Sequence, residues 1–330
     1  MQNSTMRTVD RTIKDAIMVA KLYYYHGLTT EAIARELRFS RPKVSRLLSV
    51  ARERGVVEIK IHDDDQYLAP VSNKIRDTFG LREVHVVAAP EILGEVVWLA
   101  RVAQYTANYI NSVLQNGQIL GLAWGTTLSS VSEHLIPKHI RDLSIVQLNG
   151  SGNTFMYDNS YASSILQKFG DNYSARVYQL PVPTFFDYAE TKKQVWRERS
   201  VLNIVQLQQR ANVLLYSIGA VNAGVPSQVY QGGYLEAEDL KELKREKVVA
   251  DIATVFYRSD GSYKDMSINT RASGPPLDFF KRAERAICVV SGSAKAPGLL
   301  AALRAGYLNE LIVDEPTAHL LSRLMDRSAK

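Results

Sequence analysis

The sequence predicts a two-part protein: a small helical module, residues 1–62, precedes an α/β domain, residues 63–330, built on a doubly wound, mostly parallel sheet. Three observations predict this architecture. The whole net charge of +6 falls in the first 60 of 330 residues, which hold 12 lysines and arginines against 6 acidic residues. Three consecutive aspartates, Asp63 to Asp65, then interrupt the pattern. After them apolar runs alternate with helical stretches, as strands and crossover helices do in a parallel sheet.

The composition excludes several classes of protein. With 46% hydrophobic and 22% charged residues, the chain is neither intrinsically disordered nor a disulfide-stapled scaffold. The single cysteine, Cys288, has no partner for an intrachain disulfide, which favours a reducing, cytoplasmic compartment. We expect no transmembrane helix and no signal peptide, because no sufficiently long apolar run occurs. The six histidines form no metal-binding pattern, so we expect neither a metal nor a cofactor.

The sequence of the first module predicts three helices followed by a strand. The first helix ends at Gly27, Thr29 and Thr30 open the second, and Ser40 is placed to cap the third, which runs to about Arg54. The segment GVVEIKIHD alternates apolar and polar residues, which predicts a strand. The second and third helices, with their short turn, have the length of a DNA-binding helix-turn-helix, here winged-helix-like.

The third helix divides its residues between two faces. Val44, Leu47, Leu48 and Ala51 form one apolar stripe toward the module's core, and basic and hydroxyl residues fill the rest. Residues at the start of a recognition helix usually reach the bases, and arginine can fork two hydrogen bonds onto guanine. We therefore predict base contacts from Arg41, Pro42, Lys43, Ser45 and Arg46, and phosphate contacts from Thr30 and Arg35. The alternative is an amphipathic helical hairpin with a solvated basic face.

The body contains eight strand candidates and six helical stretches between them. The helices are predicted at 94–115, 127–135, 159–169, 237–246, 296–305 and 316–326. The strands are predicted in VHVVAA, QILGLA, LSIVQL, ARVYQL, NVLLYSI, VVADIATVF, AICVVS and ELIVD. Ligands of such sheets bind beyond the carboxyl ends of the strands. We therefore expect ligand-binding residues in the segments that directly follow the predicted strands.

Two polar loops follow strands in the first half of the body. The first loop lies in LGLAWGTTLSSV. Its residues Gly125, Thr126 and Thr127 could present backbone N–H groups and hydroxyls to an anion at the start of a helix. The alternative is that the threonines simply cap that helix. In VQLNGSGNTF, polar atoms with little bulk come from Asn149, Gly150, Ser151 and Asn153. This loop lacks a dinucleotide fingerprint and could equally be a simple turn.

Two further positions could bind a ligand in the second half. Gly292 closes a strand, and Lys295 stands where the next helix begins, as a compact charge suited to phosphate; a solvated surface lysine is the alternative. Asp251 lies inside an otherwise apolar strand, so its carboxylate must be paired, lie at a strand end, or bind ligand hydroxyls. No Walker loop and no G-x-S-x-G motif occurs.

These pieces, in this order, resemble the SorC/DeoR-type bacterial sugar-responsive transcriptional regulators over nearly the whole chain. The resemblance rests on LTTEAIARELRFSRPKVSRLLSVARERGVVEIKI, then GLAWGTTL, VQLNGSGN, YQLPVP, LLYSIG and VADIATVFYRSDG, and finally VVSGSAKAPGLLAALRAGYLNELIVDEPTA. It implies an N-terminal helix-turn-helix and a C-terminal effector domain similar to phosphosugar isomerases. It also implies a homotetramer, or dimers that pair on operator DNA, a sugar, polyol or sugar-phosphate effector, and, by family habit, repression.

The resemblance also assigns positions of the effector site. The tryptophan-glycine turn matches Trp124 and the three residues after it, the second loop matches Asn149 to Ser151, the acidic contact matches Asp251, and the late lysine matches Lys295. Arginine is common in relatives where Thr126 stands, and the loss of that cation weakens the case for a phosphate. The competing class is a sugar-phosphate isomerase-like enzyme with a helical appendage, for which Asp251 would be the general base.

Overall fold

A computed structural model of the chain describes residues 2–57, 65–152, 160–221 and 223–328. Its contacts divide the chain into two compact units, Met1–Asp64 and Asp65–Lys330. Among the described residues, every helix is too short or too polar to span a lipid bilayer.

The first unit contains three helices, α1 (Gln2–Tyr24), α2 (Thr30–Glu36) and α3 (Arg41–Glu53). The side chain of Thr29 caps α2 by accepting a hydrogen bond from the Ala32 N–H (3.2 Å). Ser40 caps α3 in the same way through the Lys43 N–H (3.3 Å). Such caps satisfy N–H groups that have no partner within the helix. The strand predicted in GVVEIKIHD falls largely on residues 58–64, which lie outside the described part of the chain.

The core of the first unit confirms the predicted apolar stripe of α3. The four stripe residues are buried together with residues of α1 and α2: Ala16, Val19, Ala20, Ile33, Val44, Leu47, Leu48 and Ala51. Helical spacing of three and four residues places them on one face. The polar and basic side chains of α3 lie on its opposite face.

The second unit is an α/β domain. Its strands are β1 (Glu83–Val87), β2 (Ile119–Leu122), β3 (Ser144–Gln147), β4 (Arg176–Tyr178), β5 (Val213–Gly219), β6 (Val248–Ile252), β7 (Val255–Arg258), β8 (Arg285–Val290) and β9 (Glu310–Asp314). Its helices are α4 (Ala69–Phe79), α5 (Gly94–Val113), α6 (Thr126–Glu133), α7 (Ser160–Tyr173), α8 (Ala189–Val195), α9 (Arg199–Gln208), α10 (Gln228–Gln231), α11 (Ala237–Arg245), α12 (Ser267–Arg271), α13 (Ala296–Ala305) and α14 (Glu315–Ser328). The six predicted helical stretches of the body match α5, α6, α7, α11, α13 and α14 within a few residues, whereas α4, α8, α9, α10 and α12 were not predicted.

The sheet is parallel along the strand order β1-β9-β8-β5-β2-β3-β4, and β6 and β7 join it as an antiparallel hairpin against β5. From β2 the chain moves outward through β3 and β4, and from β5 it moves to the other side through β8 and β9. The strand order therefore reverses between β2 and β5. In open α/β sheets such a reversal opens a crevice at the carboxyl ends of the two strands.

Both faces of the sheet are buried, as continuous apolar strands predict. Along β5, Leu214, Tyr216 and Ile218 belong to one core cluster, and Val213 and Leu215 to the other. The first cluster includes residues of α4, α13 and α14, and the second includes residues of α5, α6 and α7. Cys288 is buried in β8, where burial raises the pKa of its thiol.

The prediction of a single strand over VVADIATVF is wrong, because the segment folds back on itself. Ala253 and Thr254 both have positive φ (46° and 70°) and join β6 to β7. Two such residues form the two-residue turn that matches the twist of a hairpin. Asp251 Oδ2 accepts a hydrogen bond from the Thr254 N–H (3.1 Å) and so supports the turn. The carboxylate thereby lies near the end of a short strand, next to β5.

Candidate functional site

A cavity lies at the carboxyl ends of β2 and β5, where the strand order reverses. Its wall comes from six separate segments of the chain: Ala123, Trp124, Gly125, Thr126, Thr127, Asn149, Ser217, Ile218, Gly219, Pro226, Ser227, Gln228, Val229, Asp251, Ala253, Thr254 and Lys295. Its volume is about 40 Å³, and an ordered water needs roughly 10–15 Å³. The cavity therefore accommodates a few water-sized polar groups. It brings together seven of the eleven residues predicted for a ligand site.

Asp251 provides a buried acceptor in this cavity. Asp251 is 3% exposed, and the buried Tyr230 hydroxyl lies beside its carboxylate, although neither that hydroxyl nor Oδ1 makes a hydrogen bond of good geometry. Burial raises the pKa of Asp251 to about 6, against the opposing effects of the Thr254 N–H, the Tyr230 hydroxyl and Lys295. The carboxylate fits there because β5 has a glycine opposite it: a Cβ at Gly219 would lie 2.1 Å from Asp251 Oδ1. A buried acceptor without a partner is costly, so a donor on a ligand would be well placed here.

Lys295 provides the opposite charge. It is 6% exposed, and burial lowers the pKa of its ammonium, while the carboxylates of Asp251, Glu95 and Asp314 oppose that shift. Its Nζ lies 3.4 Å from Thr127 Oγ1. Lys295 and Asp251 are both described, and no direct ion pair joins them. The alternative of a solvated surface lysine is therefore wrong, because the side chain is enclosed by the protein.

The indole of Trp124 fixes the loop after β3. Its Nε1 donates to the carbonyls of Asn149 (3.2 Å) and Gly150 (3.1 Å). Asn149 is 1% exposed, and its Oδ1 is a second buried acceptor without a partner. Gln147 Nε2 also donates to the Asn149 carbonyl (2.7 Å). The loop backbone is therefore bonded within the protein, while the Asn149 side-chain oxygen faces no internal donor.

The turn before α6 adopts the conformation that the glycine allows. Gly125 has φ +148° and serves as the N-cap of α6, a region that non-glycine residues rarely occupy. Both threonine hydroxyls after it already have partners: Thr126 Oγ1 donates to the Pro226 carbonyl (2.8 Å), and Thr127 Oγ1 accepts from Ser217 Oγ (3.1 Å). The two hydroxyls are thus used in joining α6 to its neighbours.

Three of the described residues predicted to bind a ligand do not line the cavity. The Gly150 N–H donates to Ser273 Oγ (2.9 Å), and an added Cβ would meet the Pro183 carbonyl oxygen at 2.5 Å, so this glycine permits close packing. Ser151 Oγ accepts from Gln147 Nε2 (3.3 Å). The Gly292 N–H donates to the buried carboxylate of Asp314 (2.8 Å). Asn153 lies outside the described residues.

Sequence reasoning missed several residues at or beside the cavity. Ser217, Ser227, Gln228 and Thr254 line it, the buried hydroxyl of Tyr230 lies beside Asp251, and Glu95 lies next to the 292–295 turn. They come from a strand, helices and turns far apart in the chain, with no motif to join them. Ser217 lies within β5 near its carboxyl end, so it is the residue that a search at strand ends could have found. Among the described residues, no group of three or more histidine, cysteine or acidic residues could hold a metal.

The predicted DNA contacts lie on the surface of the first unit. Pro42, Ser45, Arg46 and Arg35 are exposed, and Thr30 is half-buried. Arg41 Nη2 pairs with Glu31 Oε1 (3.0 Å). Lys43 Nζ lies 3.6 Å from Asp15 Oδ2 and 3.4 Å from the centre of the Phe39 ring. Exposed pairs of this kind contribute little stability, so both cations can exchange them for other anionic partners.

Comparison with known proteins decides the family. Residues 67–322 match the Sugar-bind family, described as "Putative sugar-binding domain". The chain belongs to this family. This sugar-binding family member is 33% identical to the deoxyribonucleoside regulator of Bacillus subtilis, over 93% of this chain and 96% of that protein.

Two solved structures extend the comparison. The crystal structure of a domain of a possible sugar-binding transcriptional regulator from Arthrobacter aurescens is 42% identical, with a TM-score of 0.72, and covers 80% of this chain and 99% of its own. The full-length sorbitol operon regulator SorC from Klebsiella pneumoniae is 25% identical, with a TM-score of 0.74, over 94% of this chain and 98% of its own. The resemblance inferred from the sequence motifs is confirmed.

Proposed function

We propose that this sugar-binding family member is a transcriptional repressor that binds double-stranded operator DNA and is controlled by a sugar, polyol or sugar-phosphate effector of a carbohydrate or polyol operon. The observation that carries the proposal is the cavity at the strand-order reversal, in a chain that aligns with regulators over nearly its whole length. Its relatives include regulators named for deoxyribonucleosides, sorbitol and erythritol. The cavity's buried polar groups suit a hydroxylated small molecule.

We assign DNA binding to the first unit as a helix-turn-helix made of α2 and α3. The exposed face of α3 carries Arg46 and Ser45, and residues 1–60, all within this unit, carry a net charge of +6. An arginine on the exposed face of such a helix can read guanine in the major groove. Arg35 and Thr30 would contact phosphates near the start of α2.

We propose that the protein acts as a homo-oligomer, either a tetramer or a dimer of dimers. One small helix-turn-helix buries too little surface for useful operator specificity, so two or more must act together. An effector that binds one arrangement of the oligomer more tightly shifts the population toward it and changes DNA affinity. Because operator DNA is the proposed partner, we place the protein in the cytoplasm.

Replacing Arg46 tests the DNA-binding assignment. A duplex selected from a random pool by the wild-type protein serves as the operator, and its Kd is measured by fluorescence anisotropy. Arg46→Ala is expected to raise the Kd about 5- to 150-fold, since one bidentate base contact is worth about 1–3 kcal/mol. Arg304→Ala removes an exposed arginine of the second unit and serves as the matched control.

Two results would contradict the proposal. An Arg46→Ala Kd equal to that of wild type and of Arg304→Ala would remove Arg46 from the DNA contact. Turnover of pentose or hexose phosphates by the purified protein would favour the isomerase-like enzyme instead.

A further inference from the structure

The junction between β9 and α14 is bonded to the turn that carries Lys295. Asp314, the last residue of β9, is completely buried, and its Oδ2 accepts a hydrogen bond from the Gly292 N–H (2.8 Å). The same carboxylate accepts from the N–H and the hydroxyl of Thr317, both at 2.8 Å. Hydrogen bonds to a carboxylate are stronger than those between neutral groups. The 292–295 turn and the first turn of α14 are therefore held together by one buried side chain.

Glu315, the first residue of α14, bonds to a different segment, the beginning of the α/β unit. Its Oε2 accepts from the Tyr67 hydroxyl (3.1 Å) and from the Ala89 N–H (3.2 Å). Tyr67 lies in a single 3-10 turn, Asp65–Leu68, with which the second unit begins. Because Tyr67 is 59% exposed, packing alone does not fix its position, and the hydrogen bond to Glu315 helps to hold it.

Further contacts join α14 to the helix that follows this turn. Lys74 of α4 donates to Asp326 Oδ1 (2.7 Å) and to Ser322 Oγ (2.9 Å), both in α14. Leu68, the last residue of the turn, is 2% exposed and belongs to the core. A displacement of α14 would therefore be transmitted to the segment that directly follows the boundary between the two units.

Lys295 is the point at which a ligand in the cavity would act on these contacts. Its side chain lines the cavity, and its backbone N–H donates to the Gly292 carbonyl (3.0 Å). Hydrogen bonds thus run from the cavity through Gly292 and Asp314 to the start of α14, where Glu315 bonds to the first turn of the unit. Energetic coupling between distant sites is carried by contiguous contacts of this kind between rigid elements.

We propose that the hydrogen bond between Glu315 and Tyr67 transmits occupancy of the cavity to the first turn of the α/β unit, and so to the helical unit that precedes it. This inference rests on the proposed function, because it takes the cavity as the effector site and the first unit as the DNA-binding unit. Tyr67 and Glu315 do not line the cavity, so both are positioning residues. Loss of their bond should weaken the coupling between the two binding events and leave each event intact.

Coupling is measured on the full-length chain as the ratio of the Kd for the selected duplex with and without a saturating probe ligand. Sorbitol, erythritol, ribose, deoxyribose and their terminal phosphates are compared by thermal shift, and the compound that stabilises the wild type most is the probe. In Tyr67→Phe the ratio should be about 5-fold smaller than in wild type, because a hydrogen bond to a charged group is lost. The Kd for the probe and the Kd for DNA without probe should each stay within about 2-fold of wild type.

Tyr263→Phe is the matched control, because it removes a tyrosine–carboxylate hydrogen bond of the same length, to Asp278 Oδ2 (3.1 Å). Its coupling ratio should equal that of wild type. A wild-type ratio in Tyr67→Phe would overturn this inference and leave the proposed function standing. A probe that bound without changing the wild-type Kd for DNA, or the failure of every compound to bind, would overturn the proposed function and this inference with it.

Hydrogen exchange measured by mass spectrometry tests the same bond without DNA. In wild type, the probe should slow exchange in α13, which follows Lys295, and in residues 65–79, each by about 3-fold or more. Glu315→Ala removes the acceptor of the Tyr67 hydroxyl, so the effect on α13 should persist while the effect on residues 65–79 is lost. Unchanged exchange of residues 65–79 in wild type, or an equal response of these residues in Glu315→Ala, would overturn the assignment of Glu315.

Discussion

The three-helix unit and the α/β unit place their charged groups in opposite environments. In the first, Arg35, Arg41 and Arg46 lie at the surface, and the buried residues are apolar. In the second, Asp251 and Lys295 are almost fully buried beside a cavity. An exposed cation keeps its hydration until DNA replaces it, whereas a buried charge has lost its hydration during folding. The comparison teaches that mutations of the exposed basic residues in the first unit should alter binding alone, and that mutations of the buried charges beside the cavity should alter binding and stability together.

The largest effect is expected from Lys295→Met, which removes the one cation among the described residues that line the cavity. We expect effector affinity to fall at least about 100-fold. The free energy of unfolding should fall by about 3 kcal/mol, because breaking a buried charge arrangement leaves uncompensated carboxylates. Calorimetry with the bound effector and urea unfolding measure the two quantities.

The control for this variant is Lys241→Met, at an exposed lysine of α11. It should leave both quantities within experimental error. If Lys295→Met behaved like Lys241→Met in both measurements, the contrast between buried and exposed cations would fail.

A pH dependence of stability should distinguish Asp251 from exposed aspartates. Burial raises its pKa to about 6, against about 3.9 in an unfolded chain. Between these values the folded state holds a proton that the unfolded state has lost. The contribution of Asp251 to stability is therefore complete below about pH 4 and is lost as the pH rises through 6. In total this contribution to the free energy of unfolding decreases by about 3 kcal/mol, and about 1.4 kcal/mol of the decrease occurs between pH 5 and pH 7.5.

Urea unfolding of wild type and Asp251→Asn at these two pH values measures this change. Between pH 5 and pH 7.5, the free energy of unfolding of the wild type should fall by about 1.4 kcal/mol more than that of Asp251→Asn. Asp187→Asn, at an exposed aspartate, should show no such divergence. A constant difference between wild type and Asp251→Asn would mean that the carboxylate ionises as it does in water.

The smallest effect is expected from Ser40→Ala, which removes the N-cap of α3. Loss of a cap costs about 1 kcal/mol, so the amides of α3 should exchange with solvent about 5-fold faster. Hydrogen exchange measured by mass spectrometry resolves this within the first unit. Ser45→Ala, at an exposed position inside α3, provides the comparison, and equal exchange in the two variants would argue against the cap.

Local signals made much of this architecture predictable. Ser40 and Thr29 indicated where two helices begin, and the apolar stripe from Val44 to Ala51 indicated the core face of α3. These signals could be recognised because a cap and an apolar stripe depend only on residues within one or two helical turns. Most strands of the sheet were visible as apolar runs for the same reason.

The features that the sequence did not reveal depend on segments that meet only in the folded chain. The hairpin at Ala253 and Thr254 places Asp251 against Gly219, and neither turn residue is one of the glycines or asparagines that usually signal such a turn. Glu95 reaches the 292–295 turn from the start of α5. The helix-turn-helix assignment, the likeness to phosphosugar isomerases, the oligomeric state and the roles of the individual site residues stay predictions.

The most direct test measures whether the cavity controls DNA binding. The Kd for the selected duplex is determined with and without saturating effector, in wild type and in Lys295→Met. For a repressor, we expect the effector to raise the wild-type Kd by about 5- to 150-fold, which corresponds to a coupling of 1–3 kcal/mol, and to leave the Kd of Lys295→Met unchanged. An effector that bound the wild type without changing its Kd for DNA, or that raised the Kd of Lys295→Met equally, would contradict the account.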